Sequence, residues 1–246
     1  MRDIAGSVAV VTGGGGAIGS VAATTLADLG ADVVICGRSG DRLRKTAELS
    51  PRIRPYPMDI TEPGAWRELG RWTEETLSRP VTLLVTAAGT NHRGPFLSDT
   101  PEHWEDLWRT NVAGTMLAAQ SVLRGMLDAG FGRMVFVSSA GAHIGLSERA
   151  AYTATKAAVE AFARSLAAEV SSAGVTVNCI APGVIPTELN RQWLDSRPDM
   201  RAQMLQSVPS GRFGEPAELA AAFRFLMEST YSQGSTVVVD GGWTAI

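Results

Sequence analysis

Short apolar runs rich in β-branched residues alternate with longer helix-like segments along the whole chain. Apolar strands separated by helices are typical of a parallel sheet that is covered by helices on both faces. The predicted strands are residues 8–11, 32–36, 53–57, 81–86, 133–137, 175–180 and 236–239. The predicted helices are residues 18–29, 41–49, 63–77, 101–129, 150–172 and 216–228. The alternation therefore predicts an α/β fold with a seven-stranded parallel sheet.

Composition narrows the class of protein. The chain has 246 residues, of which 45% are hydrophobic, which is enough for one domain with a sizeable core. The net charge of −3 and the lack of a Lys/Arg block argue against a nucleic-acid partner. No leader segment and no membrane-spanning apolar run is evident, so a cytoplasmic protein is expected. Cys36 and Cys179 lie in apolar β-like runs and are predicted to be buried thiols.

A glycine-rich segment joins the first predicted strand to the first helix. It reads Thr12-Gly13-Gly14-Gly15-Gly16-Ala17-Ile18-Gly19. Glycine lets the backbone turn tightly and approach a pyrophosphate, and the helix N-terminus supplies N–H donors. A flexible turn would have a similar composition. The position at the start of a βαβ unit nevertheless favours dinucleotide binding.

The end of the second predicted strand bears on which dinucleotide is bound. An NAD site usually has a carboxylate there, which accepts from the ribose 2′-hydroxyl. In this chain the strand is followed by Gly37-Arg38-Ser39, with no acid. The guanidinium of Arg38 suits a phosphate, so NADP(H) is favoured over NAD. The alternatives are that Arg38 is a solvated surface residue or stacks on the adenine.

A tyrosine and a lysine four residues apart stand near the start of a long helical segment. Helical spacing places Tyr152 and Lys156 on one face, and a nearby cation favours the phenolate that acid/base chemistry needs. Such pairs are common on ordinary amphipathic helices, so other features must support the interpretation. Ser139 ends the fifth predicted strand, and Asn111 lies within a predicted helix, where its propensity is poor.

Two further segments follow predicted strands. Asp59 comes after the third strand, where its carboxylate is suited to accept from an adenine amino group, although Asp59-Ile60-Thr61 also fits a helix-capping turn. Ala88-Gly89 closes the fourth strand with small residues that would let a cofactor lie against the edge of the sheet.

Together these residues resemble the short-chain dehydrogenase/reductase family, from Thr12-Gly13 through Asp59, Asn111 and Tyr152 to the C-terminal Val239-Asp240-Gly241-Gly242. The resemblance implies a three-layer Rossmann fold. It also implies that Tyr152 is the general acid/base, that Lys156 binds the nicotinamide ribose, and that Ser139 binds the substrate oxygen. Asn111 would anchor a water that relays protons. The implied cofactor-binding residues are Gly13, Gly15, Gly16, Ile18, Gly19, Arg38, Ser39, Asp59, Ile60, Ala88, Gly89, Tyr152, Lys156, Pro182, Gly183, Ile185 and Thr187.

Some positions depart from the common family pattern. Ala17 replaces a glycine, which the family tolerates. The usual Asn-Asn-Ala-Gly reads Thr86-Ala87-Ala88-Gly89, which removes two amides that would tie the strand there. Gly15 and Gly16 stand where many NADP-dependent members have Ser, Arg or Lys, so Arg38 and Ser39 would have to bind the phosphate unaided.

The sequence says less about the identity of the substrate than about the type of reaction. The candidate substrate contacts are His92 in the segment Asn91-His92-Arg93, His143 and Trp193, although each histidine is also typical of an exposed loop. This mixture of polar and cationic groups suits an oxygenated ketone or one that bears a carboxylate. Residues 186–212 form an irregular stretch that is too long for an idle connection and is predicted to be a substrate loop or lid. No metal site is predicted.

The predicted function is an NADP(H)-dependent oxidoreductase acting on a small ketone or secondary alcohol. The chain is similar to 3-oxoacyl-carrier-protein reductases and to sugar-acid dehydrogenases. The alternatives are an NAD-dependent sugar or sugar-acid dehydrogenase and a non-catalytic dinucleotide sensor. The resemblance points to a homotetramer. The small residues that suit close packing against another subunit lie on the two long helices and are Ala113, Gly114, Ala118, Ala119, Ala157, Ala158 and Ala161.

Overall fold

The computed structural model describes residues 4–187 and 190–245. Seven parallel strands form one sheet in the order β3-β2-β1-β4-β5-β6-β7, which confirms the predicted fold class. The strands are β1 (Val8–Thr12), β2 (Asp32–Gly37), β3 (Ile53–Pro57), β4 (Val81–Thr86), β5 (Gly132–Val137), β6 (Val175–Pro182) and β7 (Thr236–Val239).

The sheet is buried on both faces. Every residue of β1, β5 and β6 is buried, as expected for continuous apolar strands in the middle of a parallel sheet. One apolar cluster contains Leu26 and Phe223 and packs on one face. A second cluster contains Met126 and Phe136 and packs on the other. The two clusters give the three-layer arrangement of helix, sheet and helix. Cys36 and Cys179 are free and fully buried, and burial raises the pKa of each thiol to about 12.

Nine α-helices lie in the described part of the chain. They are α1 (Ala17–Asp28), α2 (Gly40–Ala47), α3 (Pro63–Leu77), α4 (Pro101–Leu107), α5 (Gly114–Ala129), α6 (Ala150–Val170), α7 (Arg191–Ser196), α8 (Pro198–Gln206) and α9 (Ala220–Glu228). A 3₁₀ turn, Pro216–Leu219, leads into α9. No described helix is both long and apolar enough to cross a membrane.

The helix predicted over residues 101–129 is interrupted. A π-helical turn, Trp108–Ala113, separates α4 from α5 and contains Asn111. Single π turns within α-helices are frequent at functional sites. The prediction of one continuous helix was wrong because the inserted turn leaves the apolar periodicity on either side intact.

The stretch predicted to be irregular, residues 186–212, contains α7 and α8, while residues 188 and 189 lie outside the described residues. Leu194 is the buried residue of α7, and α8 has no buried residue. Both helices therefore lack the apolar stripe by which a helix is recognised in a sequence.

Some of the small residues expected to face another subunit are buried, whereas Ala113, Ala157 and Ala161 are exposed. Ala118 is fully buried and Ala119 is 1% exposed, both in the apolar cluster beneath α5. They pack against the protein's own sheet and cannot face another subunit. That part of the prediction was wrong. Small residues suit any close helix packing, whether it lies inside a subunit or between two.

The strand order places a crevice at one edge of the sheet. After β3 the chain crosses to the other side of β1 and forms β4, so the connections that follow β1 and β4 leave in opposite directions. Open α/β sheets bind ligands at the carboxyl ends of the strands beside such a reversal. The glycine-rich segment after β1 and Ala88-Gly89 after β4 both lie there.

Candidate active site

A cavity of about 670 Å³ opens at the carboxyl ends of β1 to β4. Its wall contains all the predicted cofactor-binding residues from the first half of the chain, together with Thr187. These are Gly13, Gly15, Gly16, Ile18, Gly19, Arg38, Ser39, Asp59, Ile60, Ala88 and Gly89. Residues from the loops after β1, β2, β3 and β4 are thus brought into one cleft.

The glycines of this cavity are required by close backbone approach. Gly13 has a φ of +67°, and a Cβ on it would lie 2.6 Å from the Ala88 nitrogen. A Cβ on Gly19 would lie 2.2 Å from the Gly13 oxygen. Side chains at these two positions would push the loop away from β4 and from α1. The loop instead leaves the N-terminus of α1 open to the cavity, where N–H groups and the helix dipole favour an anion such as a pyrophosphate.

Two cations stand at the end of the cavity that follows β2. Arg38 and Ser39 line it as predicted, and Arg42 from the first turn of α2 lines it beside them. Sequence reasoning missed Arg42, although its spacing of four from Arg38 across the start of a helix was available. Two guanidinium groups and a hydroxyl at this position suit a phosphate.

Asp59 is engaged within its own loop. One carboxylate oxygen accepts from the Thr61 nitrogen at 2.9 Å and from the Thr61 hydroxyl at 2.8 Å. The backbone hydrogen bond from Thr61 is the main cause of a pKa below the usual range for Asp59, and the Arg38 charge contributes in the same direction. The capping-turn alternative is therefore present in the structure. Asp59 also lines the cavity, so the two interpretations are compatible.

A second cavity of about 260 Å³ adjoins the first. Ile18, Ala87, Gly89 and Thr187 line both, so a ligand can extend from one into the other. The second cavity is lined by the remaining predicted residues except Asn111, His92 and His143. The predicted residues that do line the second cavity are Ser139, Tyr152, Lys156, Pro182, Gly183, Ile185, Thr187 and Trp193.

Tyr152 and Lys156 lie one turn apart near the start of α6 and both face the second cavity. Lys156 is 6% exposed, and its ammonium donates to the Val137 oxygen at 2.9 Å. Its nitrogen is 5.9 Å from the centre of the Tyr152 ring. The carbonyl at the end of β5 thus anchors the ammonium between the sheet and the phenol.

Ser139 immediately follows Ser138 after β5, and the two serines have different environments. Ser139 lines the cavity, and its hydroxyl oxygen accepts from the Gly141 nitrogen at 3.1 Å. That bond uses the oxygen and leaves the hydroxyl proton to be donated. Ser138 also lines the cavity, but its hydroxyl donates to the buried Glu160 carboxylate at 2.7 Å.

Asn111 is buried and lies beneath the cavity wall. Its side-chain oxygen accepts from the Thr90 nitrogen at 2.8 Å, and its amide nitrogen donates to the Thr90 oxygen and the Thr155 hydroxyl, each at 3.1 Å. The side chain therefore ties the loop after β4 to α6. The predicted anchoring of a water is not tested by these contacts.

Comparison with known proteins now identifies the family. A family model described as enoyl-(acyl carrier protein) reductase matches residues 15–244. The 3-oxoacyl-(acyl-carrier-protein) reductase of Vibrio cholerae is 33% identical over 243 residues, which are 98% of each chain. The chain belongs to the short-chain dehydrogenase/reductase family. It is thus an oxidoreductase of the class that interconverts keto and CH–OH groups.

Solved structures of this family share the fold closely. A gluconate 5-dehydrogenase from Burkholderia cenocepacia, in complex with NADP and tartrate, has a TM-score of 0.91 and 31% identity and covers 98% of this chain and 96% of its own. A variant of actinorhodin polyketide ketoreductase with NADPH has a TM-score of 0.92 and 28% identity and covers 98% of both chains.

The departure from the family pattern after β4 is compensated by neighbours. The nitrogens of Ala87 and Ala88 donate to the backbone oxygen and the hydroxyl of Thr12, both at 3.2 Å. Thr12, at the end of β1 in this short-chain dehydrogenase/reductase, therefore holds the segment after β4 by hydrogen bonds where the two family amides are absent. Asn111 holds the next part of the loop through Thr90.

Two arginines lie in the wall of the second cavity: Arg93, from the segment expected to form the substrate pocket, and Arg149, which was not predicted. The Arg149 guanidinium lies 5.0 Å from the centre of the Tyr152 ring and donates to the Asn91 side-chain oxygen at 2.5 Å. The Arg93 guanidinium stacks on the predicted substrate residue Trp193, 3.4 Å from the ring centre. Arg149 immediately precedes α6, so it lies next to the first helical turn, which carries Tyr152.

The two histidines predicted to contact substrate lie outside the cavity wall. His143 Nε2 lies 3.0 Å from a Glu160 carboxylate oxygen. His92 stacks on His103, with ring centres 3.8 Å apart, and both rings approach the Asp99 carboxylate. Asn91 and Arg93, on either side of His92, face the cavity instead. The ligand-forming atoms of His92, Asp99 and His103 lie within 4.8 Å of one another.

Proposed function

We propose that the protein is an NADP(H)-dependent oxidoreductase that transfers a hydride between the nicotinamide and a small ketone or secondary alcohol, with Tyr152 as general acid/base. One observation carries the proposal. Tyr152, Lys156 and Ser139 converge in a cavity that shares its wall with the glycine-lined cleft. A dinucleotide extended along the cleft would therefore bring its reactive ring to the three side chains.

The first cavity fits the phosphates of such a cofactor. The N-terminus of α1 would hold the pyrophosphate, because Gly13 and Gly19 let the loop pack tightly enough to expose the helix N–H groups. Arg38, Ser39 and Arg42 would hold the 2′-phosphate of NADP. The presence of NADP in the similar Burkholderia enzyme supports this choice.

The second cavity would hold the other end of the cofactor and the substrate. When bound, the nicotinamide supplies a hydride to a carbonyl carbon or accepts one from an alcohol. An ammonium has three donors, so Lys156 can serve the ribose hydroxyls while it remains bonded to the Val137 oxygen. Pro182, Gly183, Ile185 and Thr187 would surround the ring.

The chain's own residues would handle the proton. In reduction the Tyr152 hydroxyl donates a proton to the substrate oxygen, and the neighbouring Lys156 ammonium stabilises the negative charge left on the phenol. The Ser139 hydroxyl donates a hydrogen bond to the same substrate oxygen and holds it in place. In oxidation the tyrosine oxygen takes the alcohol proton, and the roles reverse. Asn111 would support this arrangement by fixing Thr90 and α6.

We also propose that the protein assembles as a homotetramer, as the family resemblance implies. Met116 and Leu127 on α5 are 45% and 37% exposed. These large side chains, rather than the buried alanines beneath them, would supply the contact. Sedimentation velocity tests the proposal: one species of four times the 26.0 kDa chain mass is expected. A single monomeric species at micromolar concentration would reject it.

A panel of ketones and alcohols, run with both NADPH and NADH or their oxidised forms, tests the proposed reaction. Turnover is expected with NADPH and ketones, at a higher kcat/KM than with NADH. An NAD-dependent sugar-acid dehydrogenase would instead oxidise aldonates with NAD. Tight binding of the cofactor without turnover of any compound would favour the non-catalytic sensor.

A further inference from the structure

Arg149 is a partly buried cation with an unused donor. One terminal nitrogen is bonded to Asn91, but Nε is buried and has no hydrogen-bond partner among the described residues. Burial lowers the pKa of Arg149. The indole Nε1 of Trp193, in the same cavity wall, is likewise buried and without a partner in the described parts of the chain. Unpaired buried donors are rare and unfavourable in folded proteins.

Arg93 adds a second positive charge to the same wall. Burial and then the nearby Arg149 charge lower the pKa of Arg93 to about 10, and Glu148 acts in the opposite direction. No carboxylate in residues 4–187 or 190–245 lies within 4.0 Å of either guanidinium. Two partly buried cations are therefore held together without a bonded counter-charge, which is unfavourable unless a ligand supplies one.

The geometry identifies the ligand group. A guanidinium presents paired N–H donors that match the two oxygens of a planar carboxylate. With one terminal nitrogen of Arg149 bonded to Asn91, Nε lies on the edge that remains for such a pair. Arg149 also lies beside the Tyr152 ring, so an anion bound to it would be a short distance from a carbonyl that meets the Tyr152 hydroxyl.

We propose that Arg149 and Arg93 form a subsite for a substrate carboxylate, which makes the enzyme selective for keto acids or hydroxy acids over neutral ketones and alcohols. This inference rests on the proposed function, because it places the carboxylate relative to Tyr152. Trp193 holds the Arg93 guanidinium by stacking and offers its own N–H to the anion. Asn91 holds Arg149. The apolar part of the wall, which includes Leu146 and Met204, would contact the carbon chain.

Binding measurements test the subsite without turnover. Acetoacetate, 2-oxobutanoate and levulinate, each beside its methyl ester, are titrated by calorimetry into the protein saturated with NADP⁺, which has no hydride to donate. At least one acid is expected to bind more tightly than its ester. Arg149→Gln is expected to weaken the binding of that acid about 10- to 100-fold and to leave the affinity for its ester unchanged. Arg93→Gln should change affinity in the same direction.

Controls separate a charge effect from a structural one. Arg67→Gln removes the same charge from the exposed face of α3, away from both cavities, and should not change affinity. Arg149→Lys keeps the charge without the paired donors and should restore part of the loss. Equal affinity of acids and esters for the wild type, or an equal loss of both in Arg149→Gln, would overturn the subsite.

Turnover then distinguishes the two proposals. The ratio of kcat/KM for the preferred acid to that for its ester should fall about 10- to 100-fold in Arg149→Gln. Carboxylate binding that depends on Arg149 in a protein without any ketone reduction would keep the subsite and reject the oxidoreductase. Reduction of neutral ketones that is insensitive to Arg149, with no preference for acids, would keep the oxidoreductase and reject the subsite.

Discussion

Replacing Gly19 by alanine should damage the cofactor cleft through a backbone clash. The new Cβ would lie 2.2 Å from the Gly13 oxygen, 2.7 Å from the Gly13 carbonyl carbon and 2.9 Å from the Gly14 Cα. Real Cβ contacts do not fall below 3.0 Å, so the loop and α1 must separate by about 0.8 Å. The clash is with backbone, so no side chain can turn aside.

The magnitude follows from two opposing effects. Overpacking of this kind destabilises a protein by about 1–3 kcal/mol. The intrinsic preference of helices for alanine over glycine offsets about 1 kcal/mol of that. We therefore expect a net loss of about 0–2 kcal/mol, which lowers the Tm of a chain this size by up to about 8 °C. NADPH affinity should fall as well, because the helix N–H groups move away from the loop.

Calorimetric melting without cofactor, followed by titration with NADPH, measures both effects. Gly70→Ala is the matched control, because Gly70 lies in α3 and a Cβ there meets nothing within 4 Å. That variant should be slightly more stable than the wild type, since it gains helix propensity without a clash. If Gly19→Ala melts at or above the wild-type temperature and binds NADPH equally well, the close packing of the loop on α1 is not needed.

Two further predictions concern charge. Arg38→Asp should weaken the binding of NADPH by about 100-fold or more and that of NADH far less, because a contact with the phosphate becomes a repulsion. Fluorescence titration measures both affinities, with Arg67→Asp as the control. Equal losses of affinity for the two cofactors would contradict the phosphate role. The hydrogen bond from Arg79, with further contributions from Arg54, holds the pKa of Asp32 below its ordinary 3.8. The ionised Asp32 therefore stabilises the folded protein above pH 3.8, and this contribution is lost as the pH falls through the lowered pKa. Asp32→Asn should therefore lower stability by about 1 kcal/mol near neutral pH and by less in acid; melting curves that stay separated at every pH would contradict this.

The sheet was predictable because its strands are continuous apolar runs and because particular residue types mark where the elements begin and end. β3, β4, β7 and α3 have the predicted bounds. The helix α3 begins at Pro63, which suits a first helical position, and is followed by Ser78 in the left-handed conformation. The π turn between α4 and α5 was not predictable, because one inserted residue changes hydrogen bonding without changing the apolar pattern.

The residues of the candidate site were predictable where the spacing along a single helix or loop determines which side chains lie together. Tyr152, Lys156 and the glycines before α1 reach the two cavities through local geometry. Loop residues do not follow such a rule, and so His92 turns to Asp99 while its neighbour Arg93 faces the cavity. The contact between Arg93 and Trp193 joins the loop after β4 to α7, and a single sequence does not reveal that these two segments meet.

The role of Tyr152 can be tested by removing its hydroxyl while its ring is kept. The rate of hydride transfer in a single turnover, with NADPH and a ketone that the wild type reduces, is compared between wild type and Tyr152→Phe at saturating cofactor. If the hydroxyl supplies the proton, the variant should bind NADPH but transfer the hydride about 100- to 10,000-fold more slowly. A variant that transfers hydride at the wild-type rate would show that the proton comes from elsewhere.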